Sequence, residues 1–352
     1  MAEYYRVRVQ KNPKANYIVP ISIHLNSHMK YLHLSALVLL SSILSAQDST
    51  LLLKKSLVTN WSDYPVYPYI TEEVDGESVW KESYSYLDSI ELYGITYRSD
   101  GLKVKGMMAV PKTEGRHPCI VYNRGGNRDF GSITVAKGAM LLSKLASQGY
   151  VVIASQYRGV AGGEGIEEFG GKDVNDVLNL IDVLSEVESA DTSRIGMFGW
   201  SRGGMMTYIA LTKTDRINAA AVGGALSDQF AGIADRPEME KGVLAELIPN
   251  YQENKEAELT KRSAVKWADQ FPKDVPILLL HGTSDWRVKP EQSLNLALEF
   301  EKHRVPYRLV MYEGGDHGIS EHRDEVNQQV MSWFDRYLKK GEALPDMEYH
   351  GK

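Results

Sequence analysis

Six short apolar runs, separated by longer stretches of helical periodicity, constrain this chain more than any other feature of its sequence. The runs fall at 118–122, 150–155, 194–198, 219–223, 276–280 and 307–312. Runs of this length match strands covered on both faces, which need no polar alternation. Between most of them lie segments of 3.6-residue periodicity, at 137–148, 173–187, 202–211, 292–303 and 322–338. Strands that alternate with helices predict an α/β domain, with a mostly parallel central sheet flanked by helices on both faces. Ahead of the runs, residues 89–111 alternate on both sides of Asp100-Gly101, which signals a hairpin. One interval breaks the rhythm: 225–273 is rich in Glu, Lys, Met and Leu. It predicts a helical cap insertion over the carboxyl edge of the sheet.

The run ending at Phe198 leads straight into Gly199-Trp200-Ser201-Arg202-Gly203, and a helical segment follows. In that setting Gly-x-Ser-x-Gly has a mechanical meaning. The serine sits on a sharp strand-to-helix turn, and the flanking glycines relieve the crowding. The pattern predicts an α/β-hydrolase fold with Ser201 as nucleophile. A serine hydroxyl needs an oriented base, and in this fold the partners follow in the order serine, acid, histidine. Asp285, after the 276–280 run, and His317, after the 307–312 run, occupy those places. His281 reads as a packed strand-end residue, and Asp316 as a loop hydrogen-bond acceptor. Donors for the tetrahedral oxygen are expected from the backbone N–H of Arg202 and, in the loop Asn123-Arg124-Gly125-Gly126-Asn127, from that of Gly125.

Together these residues resemble the catalytic domain of the prolyl oligopeptidase family of serine peptidases, over roughly residues 90–340. The markers are Tyr97-Arg98-Ser99-Asp100-Gly101 with Gly106 and Pro111, the Gly125-Gly126 loop, Tyr157-Arg158-Gly159 and Gly162-Gly163. Asp173-Val174-Asn175-Asp176-Val177, the serine turn, His281-Gly282, Asp285, Val288 and Gly318 after His317 complete the set. The resemblance implies a Ser-Asp-His triad, an acyl-enzyme intermediate and peptidase activity. Three departures qualify it. The family's β-propeller is not in these residues, so its size filter and amine-anchoring residues are not carried over. Many members have a tyrosine or histidine before the loop glycines, where Tyr122 and Arg124 are the conceivable substitutes here. Arg202 stands where tyrosine or asparagine is common, and its charge suits either an anionic substrate or a surface salt bridge. Arg158 reads as structural.

Other properties bound the function. With 352 residues, 43% of them apolar, the chain can bury a large core. Net charge is −6 with no dense basic block, which argues against nucleic acid as a partner. The lone Cys119 lies in an apolar run and reads as a buried small hydrophobe. The histidines lack ligand spacing such as His-x-x-x-His, so neither metal nor other cofactor is expected. From Met29 the chain has a charged start, an apolar stretch at 31–44 too short to span a bilayer, and Ser45-Ala46-Gln47. These features predict a signal peptide at 29–46 and export to the periplasm or beyond; a buried helix at 31–44 is the alternative. Residues 1–28 read as an extension or start-site artefact, 47–88 as an N-terminal arm, 89–340 as the catalytic domain and 341–352 as a tail. The substrate is expected to be a small molecule, a short peptide or an ester. Tyr122, Arg124, Trp200 and Trp267 are pocket candidates, and Met239, Leu247 and Tyr251 either line the pocket or pack the cap. A peptidase leads; the alternatives are a carboxylesterase or carbohydrate acyl esterase, and more remotely a non-catalytic hydrolase-fold binding protein.

Overall fold

The computed structural model describes residues 50–351; the extension and signal-peptide expectations for 1–46 lie outside them. Eleven strands are present among the described residues: β1 (Leu52–Leu57), β2 (Thr71–Val74), β3 (Glu77–Trp80), β4 (Ile90–Ser99), β5 (Leu102–Pro111), β6 (His117–Asn123), β7 (Val151–Ser155), β8 (Ala190–Trp200), β9 (Ala219–Gly223), β10 (Ile277–Gly282) and β11 (Tyr307–Tyr312). β2 and β3 form a separate hairpin, and the other nine form one sheet in the order β1-β4-β5-β7-β6-β8-β9-β10-β11. From β7 to β11 every neighbouring pair is parallel, whereas β1, β4 and β5 join one edge antiparallel. This is the α/β-hydrolase architecture, and all six apolar runs are its parallel strands.

Local chemistry explains the elements. Every residue of β7, β9 and β10 is buried, as strands covered on both faces require. The β4–β5 hairpin turns at Asp100 and Gly101, both with positive φ, the two-residue turn that Asp-Gly favours. Behind it, Arg158 makes a buried ion pair with Asp176 and also reaches Asp100. Ser99 Oγ donates to Asp176 as well, at 2.6 Å, so the hairpin is tied to the helix Val174–Val183. Arg158 is structural, as expected. β1 came without a sequence signal: its side chains are mostly exposed, yet its backbone pairs with β4 and extends the sheet into the stretch read as an arm.

Helices cover both faces. The helical stretch 135–146 and the C-terminal helix Arg323–Phe334 close one core, around Ile120, Val152, Leu278 and Phe334. The helices Val174–Val183, Arg202–Leu211 and Glu291–His303 close the other. The interval 225–273 is helical, including Gln229–Asp235 and Tyr251–Lys261, and its Leu244, Leu247, Tyr251 and Leu259 belong to that second core. Cys119 is fully buried.

The register places the site. After β6 the chain moves to one side for β7 and returns to the other for β8, so the connections diverge from that point. Crevices outside the carboxyl ends of strands at such a point are where α/β sheets bind ligands. Asn123 pairs with Gly199, Trp200 with Gly223, and Gly223 with Leu280, which brings the strand ends level.

Phe334 is fully buried against Gly196, where a Cβ would stand 2.6 Å from its ring. Phe334→Ala is expected to cost about 3–5 kcal/mol, read as a lower urea midpoint at unchanged slope.

Candidate active site

Ser201 joins β8 to the helix Arg202–Leu211 with φ 59° and ψ −123°. A non-glycine residue held there carries strain of about 1–3 kcal/mol, which the surroundings must overcome. Two backbone bonds hold it: Ser201 N–H donates to Gly223 O at 2.8 Å, and Gly204 N–H donates to Ser201 O at 2.9 Å. The turn is too tight for side chains beside it. A Cβ on Gly199 would lie 2.2 Å from Gly203 O, and one on Gly203 would lie 1.9 Å from Asn123 O.

Asp285 follows β10 and is buried. Its Oδ1 accepts the N–H groups of Arg287 and Val288 at 2.8 and 3.0 Å, which turns Oδ2 toward His317 Nδ1 at 2.7 Å. Burial alone would raise the Asp285 carboxyl. Hydrogen bonding from His281 and His317, the electrostatic attraction of His317, and the Val288 N–H outweigh burial and hold it well below the ordinary 3.8. With Nδ1 donating to the carboxylate, His317 Nε2 carries the available lone pair. The two loops are stapled together: Ser284 N–H donates to Gly315 O, and Gly314 N–H to Thr283 Oγ1, each at 2.9 Å. His281 is packed as expected. Its Nε2 donates to Val288 O at 2.8 Å and its Nδ1 accepts from Ser293 Oγ at 2.7 Å, while Asp285 Oδ2 stands further off at 3.4 Å. Asp316 accepts the N–H groups of Gly318 and Ser320, a loop role.

The loop after β6 reaches the serine: a Cβ on Gly125 would lie 3.1 Å from Ser201 Cβ. Two buried arginines shape that loop. Arg124 gives its donors to the carbonyls of Gly125, Phe130, Arg128 and Gln156. Arg202 donates to Gly126 O and to Glu167, both at 2.9 Å, and pairs with Asp173. Glu167 in turn accepts the Arg128 N–H. The Arg202 guanidinium also lies over the rings of Tyr157 and Phe169, at 4.8 and 4.6 Å from their centroids. Its charge is therefore met inside the protein. The surface salt bridge expected for Arg202 is corrected: the ion pairs are there, but burial of all three side chains puts them inside the protein.

Ser201, Arg202 and His317 line one cavity of about 220 Å³, with Phe130, Phe169, Leu226, Ile233, Met239 and Val288 as apolar wall and Arg236, Trp286 and Arg287 also among its residues. That volume lies below the roughly 300–1,000 Å³ usual for ligand clefts, so it suits one side chain or short acyl group. None of the four pocket candidates lines it among the described residues. Trp267 stacks on Phe271 and donates to Thr260 O, which places it within the cap. Tyr122 and Trp200 face a separate groove, and Arg124 is spent on the loop carbonyls. Leu247 and Tyr251 pack in the core, and Met239 alone of the cap residues named reaches the cavity. Sequence reasoning missed Trp286 and Arg287, although they directly follow Asp285, and it missed Glu167 and Phe169, which no motif marks. Among the described residues no group of three or more His, Cys, Asp or Glu is arranged to hold a metal ion.

A family model described as the prolyl oligopeptidase family matches residues 139–341. The uncharacterized peptidase YtmA of Bacillus subtilis (strain 168) is 31% identical over 246 residues, which are 69% of this chain and 93% of that protein. Dipeptidyl-peptidase 5 of Porphyromonas gingivalis is 28% identical over 246 residues, covering 64% of this chain and 34% of its own length. Pyrococcus horikoshii acylaminoacyl peptidase superposes with a TM-score of 0.63 at 26% identity, covering 78% of this chain and 47% of that one. The chain thus spans nearly all of one relative and no more than about half of the other two.

Two outcomes follow from the site's geometry. Gly203→Ala is expected to lower stability by about 1–3 kcal/mol or more through overpacking against Asn123 O, whereas Gly94→Ala, with nothing within 4 Å of the added methyl, leaves the melting temperature nearly unchanged. A carboxyl depressed in the folded state stabilises above its ordinary value and loses that contribution as pH falls toward the folded value. Asp285→Asn should therefore melt below the parent at neutral pH, with the gap closing as pH falls through and below 3.8. A gap that stayed constant with pH would contradict it.

Proposed function

We propose that this chain, which belongs to the prolyl oligopeptidase family, is a serine peptidase that cleaves by two-step acyl transfer, with Ser201 as nucleophile, His317 as base and Asp285 as the group that orients the imidazole. The observation that carries these roles is the 2.7 Å contact of Asp285 with His317 Nδ1, which leaves Nε2 for a serine that shares its cavity. In the first step Nε2 takes the hydroxyl proton as Ser201 Oγ attacks the carbonyl carbon. Asp285, ionised well below neutral pH, stabilises the imidazolium without taking its proton. The developing oxyanion is received by the N–H groups of Arg202 and Gly125, each such donor worth about 10²–10³ in rate. The imidazolium protonates the leaving amine, and water repeats the sequence to free the acid.

The substrate on the acyl side is a small apolar residue that carries no free amine at the cavity. The wall from Phe130 to Val288 is apolar, and no carboxylate lines it among the described residues to anchor an ammonium group. The Pyrococcus horikoshii neighbour is named an acylaminoacyl peptidase, a name that agrees with an acylated rather than a free amine. One observation favours a second reading, a carboxylesterase or carbohydrate acyl esterase: a cavity of about 220 Å³ is large enough for a short acyl group and little more. Export after cleavage at Ala46 completes the proposal, to be checked by sequencing the N-terminus of the protein recovered from its native host.

A fluorophosphonate probe should label the folded protein once, at Ser201. Ser201→Ala should abolish labelling and lower kcat by at least about a thousandfold at unchanged melting temperature. Among substrates, an N-acetylated apolar aminoacyl-nitroanilide should be cleaved faster than its free-amine counterpart. Turnover of nitrophenyl butyrate with no amide cleavage would replace the peptidase by the esterase.

A further inference from the structure

A second cavity is lined by Trp200, next in sequence to Ser201, and it is larger than the one that holds Ser201. It measures about 610 Å³, within the roughly 300–1,000 Å³ usual for ligand clefts, and the two cavities share no lining residue. Its surface is mostly apolar. Tyr122, Phe198 and Trp200 line it as a run of edge-to-face rings, 5.6 and 6.2 Å between centroids. Tyr84 and Tyr86 come from the segment before β4, and Val326 from the C-terminal helix. Met140 and Leu141 come from the stretch Gly138–Leu142, a π-helical segment inside the helical stretch 135–146. Such segments are uncommon in helices and recur at functional sites.

The charge around this groove has one sign. Lys137, Lys144 and Arg323 line it, and no Asp or Glu does among the described residues. Lys137 Nζ donates to Gly131 O at 2.8 Å, and burial, with help from Arg124, holds its ammonium below the ordinary value. Lys144 and Arg323 are exposed. None of the three makes an ion pair with a carboxylate among the described residues, although exposed lysines and arginines elsewhere on the molecule, such as Lys289 and Lys302, do. An aromatic-lined apolar groove rimmed by three cations that no carboxylate pairs among the described residues complements a molecule with an apolar body and one anionic end.

We propose that this groove is a second ligand site, which takes a small carboxylate with an aromatic or aliphatic body. The site borders the catalytic loop: the Trp200 indole N–H donates to His317 O at 2.9 Å, and Gly318 lines the groove. The proposal does not depend on Ser201 being the nucleophile.

Decanoate, titrated into the full-length protein by calorimetry, tests it. One saturable site is expected. Reversing the exposed rim charges with Lys144→Glu and Arg323→Glu together should weaken decanoate at least tenfold and leave the binding of decanol unchanged. Leu141→Trp, which fills the groove, should remove both, whereas Ile233→Trp, which fills the catalytic cavity, should change neither. Circular dichroism and melting temperature confirm that each variant folds. Absence of saturable binding, unchanged affinity in the charge-reversed variant, or loss of binding in Ile233→Trp would each overturn the proposal. Failure of fluorophosphonate labelling would count against the catalytic roles and leave this site untouched.

Discussion

The junction at Ser201 governs the rest of the structure. A serine with positive φ between a buried strand and a helix stores strain, and only dense packing on all sides keeps it there. β9 supplies Gly223 O to its N–H, the loop after β6 comes within a methyl's width of Gly203, and Gly125 rests against its Cβ. Each contact uses backbone rather than side chain, which is why glycine recurs where β6 and β8 end. The level strand ends follow from the same demand: a one-residue slip of β6 against β8 would move Asn123 away from Gly199 and leave the turn unsupported.

Electrostatics then stiffens what packing positions. Two fully buried arginines would each carry a large desolvation cost if left alone. Glu167 and Asp173 meet Arg202, Tyr157 and Phe169 offer it their ring faces, Arg202 Nη1 also binds Gly126 O, and Arg124 gives its donors to carbonyls of the loop and of Gln156. The loop beside the serine is thus held by charge-assisted bonds at carbonyl after carbonyl, and Glu167 holds it from the other side by accepting the Arg128 N–H. Asp285 follows the same logic on the other side, with both oxygens occupied so that the imidazole has one orientation.

What could be read from the sequence follows from where the signals are local. The parallel strands were legible because a buried strand is a short unbroken apolar run, and the serine turn because periodicity changes at two glycines. Asp285 and His317 were found from their places after strands. The misplacements have a common cause. An unbroken apolar run gives no alternation, so the face taken by Tyr122 at the end of β6 was open, and it turned to the groove. Arg202 finds its partners 35 and 29 residues away, at Glu167 and Asp173, at a distance along the chain that no local pattern spans. β1 was invisible because an edge strand with exposed side chains needs only its backbone to join a sheet.

The helical insertion shares its apolar residues with the sheet, since Leu244, Leu247, Tyr251 and Leu259 lie in the same core as β8 and β10. A layer anchored in that way would give up buried apolar contact by swinging off the sheet. At the cavity the exposed residues are single side chains, Phe130 on one loop and Trp286 and Arg287 on another, the two aromatic ones about two-thirds exposed. Side-chain rotations take picoseconds to nanoseconds, whereas hinged layers move in microseconds to milliseconds. Movements of these side chains beside Ser201 therefore run on the faster clock.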